Sequence, residues 1–86
     1  MIEKKISVEN ETGLHARPAA SLVQFVKNIP GEVQIVKDGK VANAKSIFNV
    51  MSLGISKGTE ILVRVDGDEE ERHLEEVLAF IRNLAE

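Results

Sequence analysis

Alternating hydrophobic and polar positions mark four segments of the chain as β-strands with one face toward a core. The first covers residues 2–8. The second and third cover residues 32–37 and 40–44, and an Asp-Gly pair between them is typical of a two-residue hairpin turn. The fourth is centred on residues 61–65, where Ile, Val and Val alternate with Leu and Arg. The pattern therefore predicts four strands, two of them joined as a hairpin.

Apolar residues that recur at steps of three and four predict amphipathic helices between these strands. The first helix carries its apolar stripe over residues 19–29 and is ended by Pro30, since a proline disfavours helical torsions in the residue before it. The second is only about two turns long. It lies between Ser46, a preferred N-cap residue, and Gly54, which can take the positive φ of a helix end.

The third helix has the most regular stripe, over residues 74–84. Asp68 and Glu71 ahead of it form the sequence pattern of a capping box. The element order is then β-α-β-β-α-β-α. Because so short a chain has no second sheet, the helices must cover one face of a four-stranded sheet. We predict an α+β fold in one domain, residues 1–86, with the other sheet face partly exposed.

Composition narrows the classes of function. Eleven Lys and Arg against 14 Asp and Glu give a formal charge of −3, which argues against nucleic-acid binding. Without cysteine, and with His15 and His73 as the two histidines, a metal site would be hard to assemble, so we expect no metal. No run approaches the roughly 20 apolar residues of a membrane span. We expect a cytoplasmic protein without membrane insertion.

A histidine, an arginine and a proline stand together where the first helix begins, in "GLHARPAA" at residues 13–20. If the helix begins just after His15, the N–H groups of Ala16 and Arg17 lack partners within the helix. Pro18 fits the first turn, where its missing N–H removes no helical bond, although it predicts backbone strain at Arg17. Unpaired amides beside an arginine form a site for an anion such as phosphate.

The imidazole of His15 beside such a site could act as a nucleophile. A neutral histidine can take a phosphoryl group onto one ring nitrogen and release it later, provided that the added charge is stabilised. The alternative is an exposed helix cap without chemistry, the commoner meaning of a short motif. No acidic residue lies within three positions of His15, which favours the phosphoryl site. His73, with acidic neighbours, is predicted to be a solvated helix residue.

The second helix carries more apolar residues than a small core needs. We predict that Ile47, Phe48 and Met51 form an exposed docking patch, with core filling as the alternative. Ser46 by itself needs no role beyond that of an N-cap.

These two motifs resemble those of HPr, the histidine-containing phosphocarriers of the bacterial phosphoenolpyruvate-dependent sugar phosphotransferase system. "GLHARPA" at 13–19 is similar to the family's phosphorylation motif, and "KSIFNVMSLGISKG" at 45–58 to its second signature, around a regulatory serine. The resemblance implies an open-faced β-sandwich whose antiparallel sheet has the order 1-4-2-3 under three helices. It also implies that His15 carries the phosphoryl group on Nδ1, that Arg17 stabilises it, and that the backbone N–H of Ala16 points toward it.

The resemblance further implies the partners. Phosphorylated enzyme I would be the donor and the A-type domains of sugar permeases the acceptors, so the chain would be a carrier rather than an enzyme and need no cofactor. Ser46 corresponds to the serine that an ATP-dependent HPr kinase/phosphorylase modifies, which links sugar transport to carbon catabolite regulation and to a transcriptional regulator. Phe48 and Asn49 stand where many members have methionine and glycine, and this bears on the choice of downstream partners.

Two other functions stay open. One is a regulatory or nitrogen-branch paralogue, in which the same phosphohistidine signals instead of supplying sugar uptake. The other is an interaction module without phosphoryl transfer that binds a transcription factor through the patch of Ile47, Phe48 and Met51. In each case we expect a monomer.

Overall fold

Four strands and three helices follow one another in the predicted order. The computed structural model describes residues 1–85. Its elements are β1 (Ile2–Ser7), α1 (Ala16–Val26), β2 (Glu32–Lys37), β3 (Lys40–Asn43), α2 (Ile47–Ser52), β4 (Glu60–Asp66) and α3 (Glu70–Arg82).

The strands form one antiparallel sheet with the order β1-β4-β2-β3. β4 is an inner strand that pairs with β1 from Ile2 opposite Val65 to Ser7 opposite Glu60, and with β2 on its other side. This confirms the open-faced sandwich. The β2–β3 hairpin turns at an Asp-Gly pair with φ values of 50° and 80°, as a tight primed turn requires.

The core lies between the sheet and the three helices. Along β4, the side chains of Ile61, Val63 and Val65 are buried under the helices, while Leu62 and Arg64 are half-exposed on the open face. Burying an aliphatic side chain of this size contributes roughly 1.5–3 kcal/mol. The helices supply the matching buried residues: Ala19, Leu22, Val23 and Val26 from α1, Val50 from α2, and Leu74, Val77, Leu78 and Ile81 from α3.

The predicted capping box of α3 is wrong. The N-cap is Glu69 and not Asp68, it has a φ of 55°, and its side chain makes no capping hydrogen bond. Instead, the carboxylate of Glu70 accepts from the backbone N–H of Gly67 at 3.2 Å. Because the chain turns through the left-handed region at Glu69, the helix begins one residue later than the box requires.

The predicted exposure of His73 is also wrong. The residue is only 6% exposed. Residues four and seven positions apart share a helix face, so His73 points inward with Val77 and Phe80. Its Nε2 lies 3.3 Å from a guanidinium nitrogen of Arg72, and its buried Nδ1 has no hydrogen-bond partner among the described residues.

Candidate functional site

The loop that leads into α1 is held against the loop that follows α2. Gly13 has a φ of 61°, and a Cβ there would lie 2.2 Å from the carbonyl oxygen of Ile55, so only glycine fits. The N–H of Leu14 donates to the same oxygen at 3.0 Å, and its side chain is fully buried. Nδ2 of Asn10 donates to the Gly13 carbonyl at 2.8 Å. These contacts determine where α1 can begin.

His15 is the N-cap of α1, where the sequence places it. Its backbone is extended, with φ −117° and ψ 154°, and its side chain makes no capping hydrogen bond. The residue is half-buried. His15 is therefore the N-cap residue by position, but its imidazole does not bond to the backbone N–H groups of the first turn.

Backbone strain lies at Ala16 and not at Arg17, where the sequence predicted it. Ala16 has a φ of 48°, whereas Arg17 is not among the residues with positive φ. A left-handed alanine costs roughly 1–2 kcal/mol. The backbone changes from the extended conformation of His15 to the helical turn that contains Pro18. Ala16 adopts the left-handed torsion by which the chain changes direction. Whether the Ala16 N–H points toward a phosphoryl group stays a prediction.

The first turn of α1 buries one side and exposes the other. Pro18 and Ala19 are buried, whereas Ala16 and Arg17 are exposed. From Arg17 a shallow groove continues along α1 toward the stacked rings of Phe25 and Phe80, whose centroids are 4.6 Å apart. The guanidinium is thus two residues from His15 on an accessible part of the helix.

Ser46 is the N-cap of α2, as predicted. Its Oγ accepts from Nδ2 of Asn49 at 2.8 Å and from the backbone N–H of Asn49 at 3.4 Å. In the adjacent apolar patch, Phe48 is 82% exposed and Met51 is 36% exposed, whereas Ile47 packs partly against the core. Exposure of the first two agrees with a docking patch, and partner binding there stays a prediction.

Residues 2–83 match the family model described as the PTS HPr component phosphorylation site. The chain belongs to the HPr family. It is therefore an HPr-family phosphocarrier, which confirms the resemblance seen in the sequence.

Two curated relatives of this HPr-family chain differ in kind. The HPr-like protein Crh of Halalkalibacterium halodurans is 46% identical over 81 residues, which are 94% of this chain and 96% of the relative. The phosphocarrier protein HPr of Vibrio cholerae is 34% identical over 84 residues, which are 98% and 99% of the two chains. Relatives named HPr-like and relatives named phosphocarrier thus both match nearly the whole chain.

Solved HPr structures share the fold. The crystal structure of HPr-C-His from Thermoanaerobacter tengcongensis has a TM-score of 0.91 and 41% identity, and the match covers 95% of this chain and 92% of that one. Crh of Bacillus subtilis, with a TM-score of 0.77, 41% identity and coverage of 100% and 99%, was crystallised as a dimer with a swapped domain. The expectation of a monomer thus finds no support among these relatives.

Two lysines position the ends of the α2 region. Nζ of Lys37 donates to the carbonyls of Leu53 and Gly54 at 3.0 and 3.1 Å. Nζ of Lys45 donates to two carbonyls of the loop after α1, those of Ile29 and Gly31, at 2.7 and 2.8 Å. Sequence analysis missed both roles, because each lysine reaches 14–17 residues along the chain and no local pattern signals such a contact.

An ion pair joins the loop before α1 and the loop after α2 at their surface. Nζ of Lys57 lies 2.8 Å from a carboxylate oxygen of Glu11. The hydrogen bond from Lys57 lowers the pKa of Glu11, and the same bond raises the pKa of Lys57. Both groups are solvent-exposed, so the ion pair stabilises the contact between the two loops only modestly, in addition to the backbone contacts of Gly13 and Leu14.

Neither a group of metal ligands nor a membrane-spanning helix is found in the described part of this chain. Over residues 1–85, no three His, Cys, Asp or Glu residues are grouped so that they could hold a metal ion. Within the same range, no helix combines the length and the apolar character needed to cross a membrane.

Proposed function

We propose that this chain accepts a phosphoryl group on Nδ1 of His15 from phosphorylated enzyme I and passes it to the A-type domains of sugar permeases in the cytoplasm. The observation that carries the proposal is the start of α1. There an imidazole with no capping bond lies at the helix N-terminus, and an exposed arginine follows two residues later.

The transfer needs little from the carrier beyond a nucleophile and a place for negative charge. The Nδ1 lone pair of His15 attacks phosphorus, and the bond from phosphorus to the donor breaks as the bond to Nδ1 forms. The positive end of α1 and the forked donors of Arg17 favour the dianion while it is carried. Reversal of the same step on an acceptor nucleophile returns the imidazole to its free form.

The test is incubation with enzyme I, magnesium and phosphoenolpyruvate, followed by intact mass measurement. We expect one added phosphoryl group that is lost in acid, because phosphoramidates hydrolyse there while phosphoserine esters persist. The label should be absent from His15→Ala and retained by Ser46→Ala. An acid-stable label, or one that survives His15→Ala, would refute the carrier assignment to His15.

We further propose that Ser46 is phosphorylated by an ATP-dependent HPr kinase/phosphorylase and that this modification links the carrier to catabolite regulation. Support comes from the half-buried Ser46 at the start of α2 beside the exposed apolar side chains of Phe48 and Met51, where a protein partner such as a transcriptional regulator would dock. Crh of Bacillus subtilis is described as the catabolite repression HPr.

A second candidate is a regulatory role without sugar transport, including a nitrogen-branch one. It is supported by the identity of 46% to the HPr-like protein Crh of Halalkalibacterium halodurans, whereas the identity of 41% to HPr of Thermoanaerobacter tengcongensis supports the transport role. The two candidates differ in the acceptor. If a purified A-type domain of a sugar permease removes the acid-labile phosphoryl group from the labelled chain, the transport role is supported. If enzyme I adds the group but no A-type domain removes it, the regulatory role is supported.

A further inference from the structure

The start of α2 holds a side-chain contact that capping alone does not need. The backbone N–H of Asn49 already reaches Oγ of Ser46 at 3.4 Å, as in an ordinary cap. The carboxamide of the same residue adds a shorter hydrogen bond, from Nδ2 to Oγ at 2.8 Å. Both groups of Asn49 are donors, so Oγ of Ser46 accepts two hydrogen bonds.

This arrangement fixes the direction of the serine proton. A hydroxyl has one hydrogen and two acceptor lone pairs. With two donors of Asn49 on the side of Oγ that faces α2, the hydrogen of Ser46 has to point away from the helix. The hydroxyl is thus presented as a nucleophile whose proton an approaching base can reach.

The residues around the pair are held in place on both sides. On the N-terminal side of the pair, the N–H of Ser46 donates to the carbonyl of Asn43 at 3.0 Å. The N–H of Lys45 donates to Oδ1 of Asn43 at 2.9 Å. After Asn49, its carbonyl accepts from the hydroxyl of Ser52 at 2.7 Å. The Ser46–Asn49 geometry is therefore organised before any partner binds.

We propose that Asn49 is a positioning residue for phosphorylation of Ser46 and a ligand of the phosphate afterwards; this inference rests on the proposed modification of Ser46. Oγ of Ser46 attacks the γ-phosphorus of ATP, the bond to the β,γ-bridging oxygen breaks, ADP leaves, and the hydroxyl proton passes to a base of the kinase. Oγ then becomes an ester oxygen and a weaker acceptor. Nδ2–H of Asn49 transfers its hydrogen bond to a non-bridging phosphate oxygen.

Two substitutions test the role of the carboxamide. The assay measures kcat and KM for phosphorylation of Ser46 by HPr kinase/phosphorylase with ATP and magnesium. Asn49→Ala removes the donor, and kcat/KM should fall about three- to tenfold, mainly through kcat, as expected for one lost hydrogen bond. Asn49→Asp keeps the shape but cannot donate, and its charge repels the phosphate, so its loss should be larger.

A matched control and two further readouts separate positioning from stability. Asn83→Ala removes a similar Nδ2 hydrogen bond, 2.8 Å to the carbonyl of Ala79 in α3, and should leave kcat unchanged. Transfer from enzyme I to His15 should be unchanged in the two neutral variants, Asn49→Ala and Asn83→Ala. When Ser46 is phosphorylated, a ³¹P titration measures the pKa of the phosphate. This pKa should be lower in the unsubstituted chain than in Asn49→Ala, because the donor of Asn49 favours the dianion.

The outcomes distinguish failure of the role of Asn49 from failure of the proposed phosphorylation of Ser46. Equal kcat/KM for the unsubstituted chain and Asn49→Ala would overturn the role of Asn49 alone. Full activity of Asn49→Asp would do the same, because it would mean that the serine hydroxyl donates to the side-chain oxygen. If the unsubstituted chain takes phosphate from enzyme I but none at Ser46, both this inference and the regulatory part of the proposed function fall.

Discussion

Residues at the start of α1 divide into those that shape the backbone and those that face solvent. Gly13 and Leu14 hold the loop against Ile55, whereas Arg17 is exposed. Substitutions in the two groups should have different consequences. Changes to the first group should alter the free energy of unfolding, and changes to the second should alter the rate of phosphoryl transfer.

Arg17→Ala should slow transfer from enzyme I roughly ten- to hundredfold, because charge-assisted hydrogen bonds to the phosphoryl oxygens contribute about 1.5–3 kcal/mol. The free energy of unfolding should change by no more than about half a kcal/mol, since the side chain is exposed. Rapid-quench transfer kinetics and urea unfolding measure the two effects. Lys27→Ala, which removes a cation from the other end of α1, should leave the rate unchanged. Unaltered kinetics in Arg17→Ala would mean that the helix amides alone stabilise the phosphate.

Gly13→Ala should lower the free energy of unfolding by more than about 2 kcal/mol, since it combines a left-handed alanine with a clash against Ile55. Gly58→Ala is the matched control. Gly58 also has positive φ, 88°, but a Cβ there meets no atom within 4 Å, so its loss should be only about 1 kcal/mol. Urea unfolding of both variants measures the difference. Equal losses would show that the loop does not depend on its close contact with Ile55.

At the scale of elements, α2 is joined to its surroundings by the buried Val50 and by hydrogen bonds at its ends. Ser46 caps the first turn, and Nζ of Lys37 binds the carbonyls of Leu53 and Gly54 after the last. Nζ of Lys45 is likewise bound to carbonyls of the loop after α1. A negative charge at position 46 is therefore added to a helix whose position is already fixed.

Ser46→Asp should leave the unfolding midpoint unchanged or slightly raised, because aspartate is also a preferred N-cap and its charge suits a helix N-terminus. Transfer from enzyme I should nevertheless slow, if the docking surface of enzyme I is acidic. Repulsion between surface charges is screened over roughly 8–10 Å, so the defect should shrink as salt rises. Transfer rates across a salt series, together with thermal unfolding, measure both effects.

Ser46→Asn is the neutral control for this experiment, since asparagine caps a helix without adding charge. It should transfer at the unsubstituted rate at every salt concentration. A normal rate for Ser46→Asp at low salt would remove charge repulsion as the regulatory mechanism. A slow rate together with a lowered midpoint would point to damage of the α2 cap.

The two loops of the site should also respond to pH through Glu11 and Lys57. The pKa of Glu11 is lowered by the hydrogen bond from Lys57, so its contribution to stability is present above its ordinary value of 4.5 and is lost as pH falls through the lowered value. Glu11→Gln should therefore be less stable than the unsubstituted chain near neutral pH and equally stable once the pH has fallen below the lowered pKa of Glu11. Urea unfolding across this range measures the difference, and a difference that persists in acid would assign it to another cause.

At the scale of the whole molecule, the sheet and helices enclose one core that contains a single buried polar side chain among the described residues, His73. A buried polar atom without a partner costs roughly 1–3 kcal/mol. His73→Leu keeps a similar volume and removes that cost, so the free energy of unfolding should stay the same or rise by up to about 1 kcal/mol. Chemical denaturation measures it. A loss above 1 kcal/mol would mean that Nδ1 has a partner such as a buried water.

The sequence by itself determined the elements and the place of the site. Periods of 2 and of three to four residues identify every strand and helix, because one face of each element has to be buried. The histidine, arginine and proline locate the start of α1, and Ser46 locates the start of α2, because helix ends select residues by local hydrogen bonding and torsion. The sheet order followed from the family resemblance and not from these patterns.

Only the tertiary structure decided how the site is held. The contact of Gly13 with Ile55, the reach of Lys37 and Lys45 to distant carbonyls, and the inward turn of His73 depend on how separate elements pack. The strain at Ala16 has the same origin, since the loop before it is fixed from outside and one residue has to absorb the change of direction. Local patterns record which residues can form an element, whereas these contacts join residues far apart in the chain and exist only after the elements have come together.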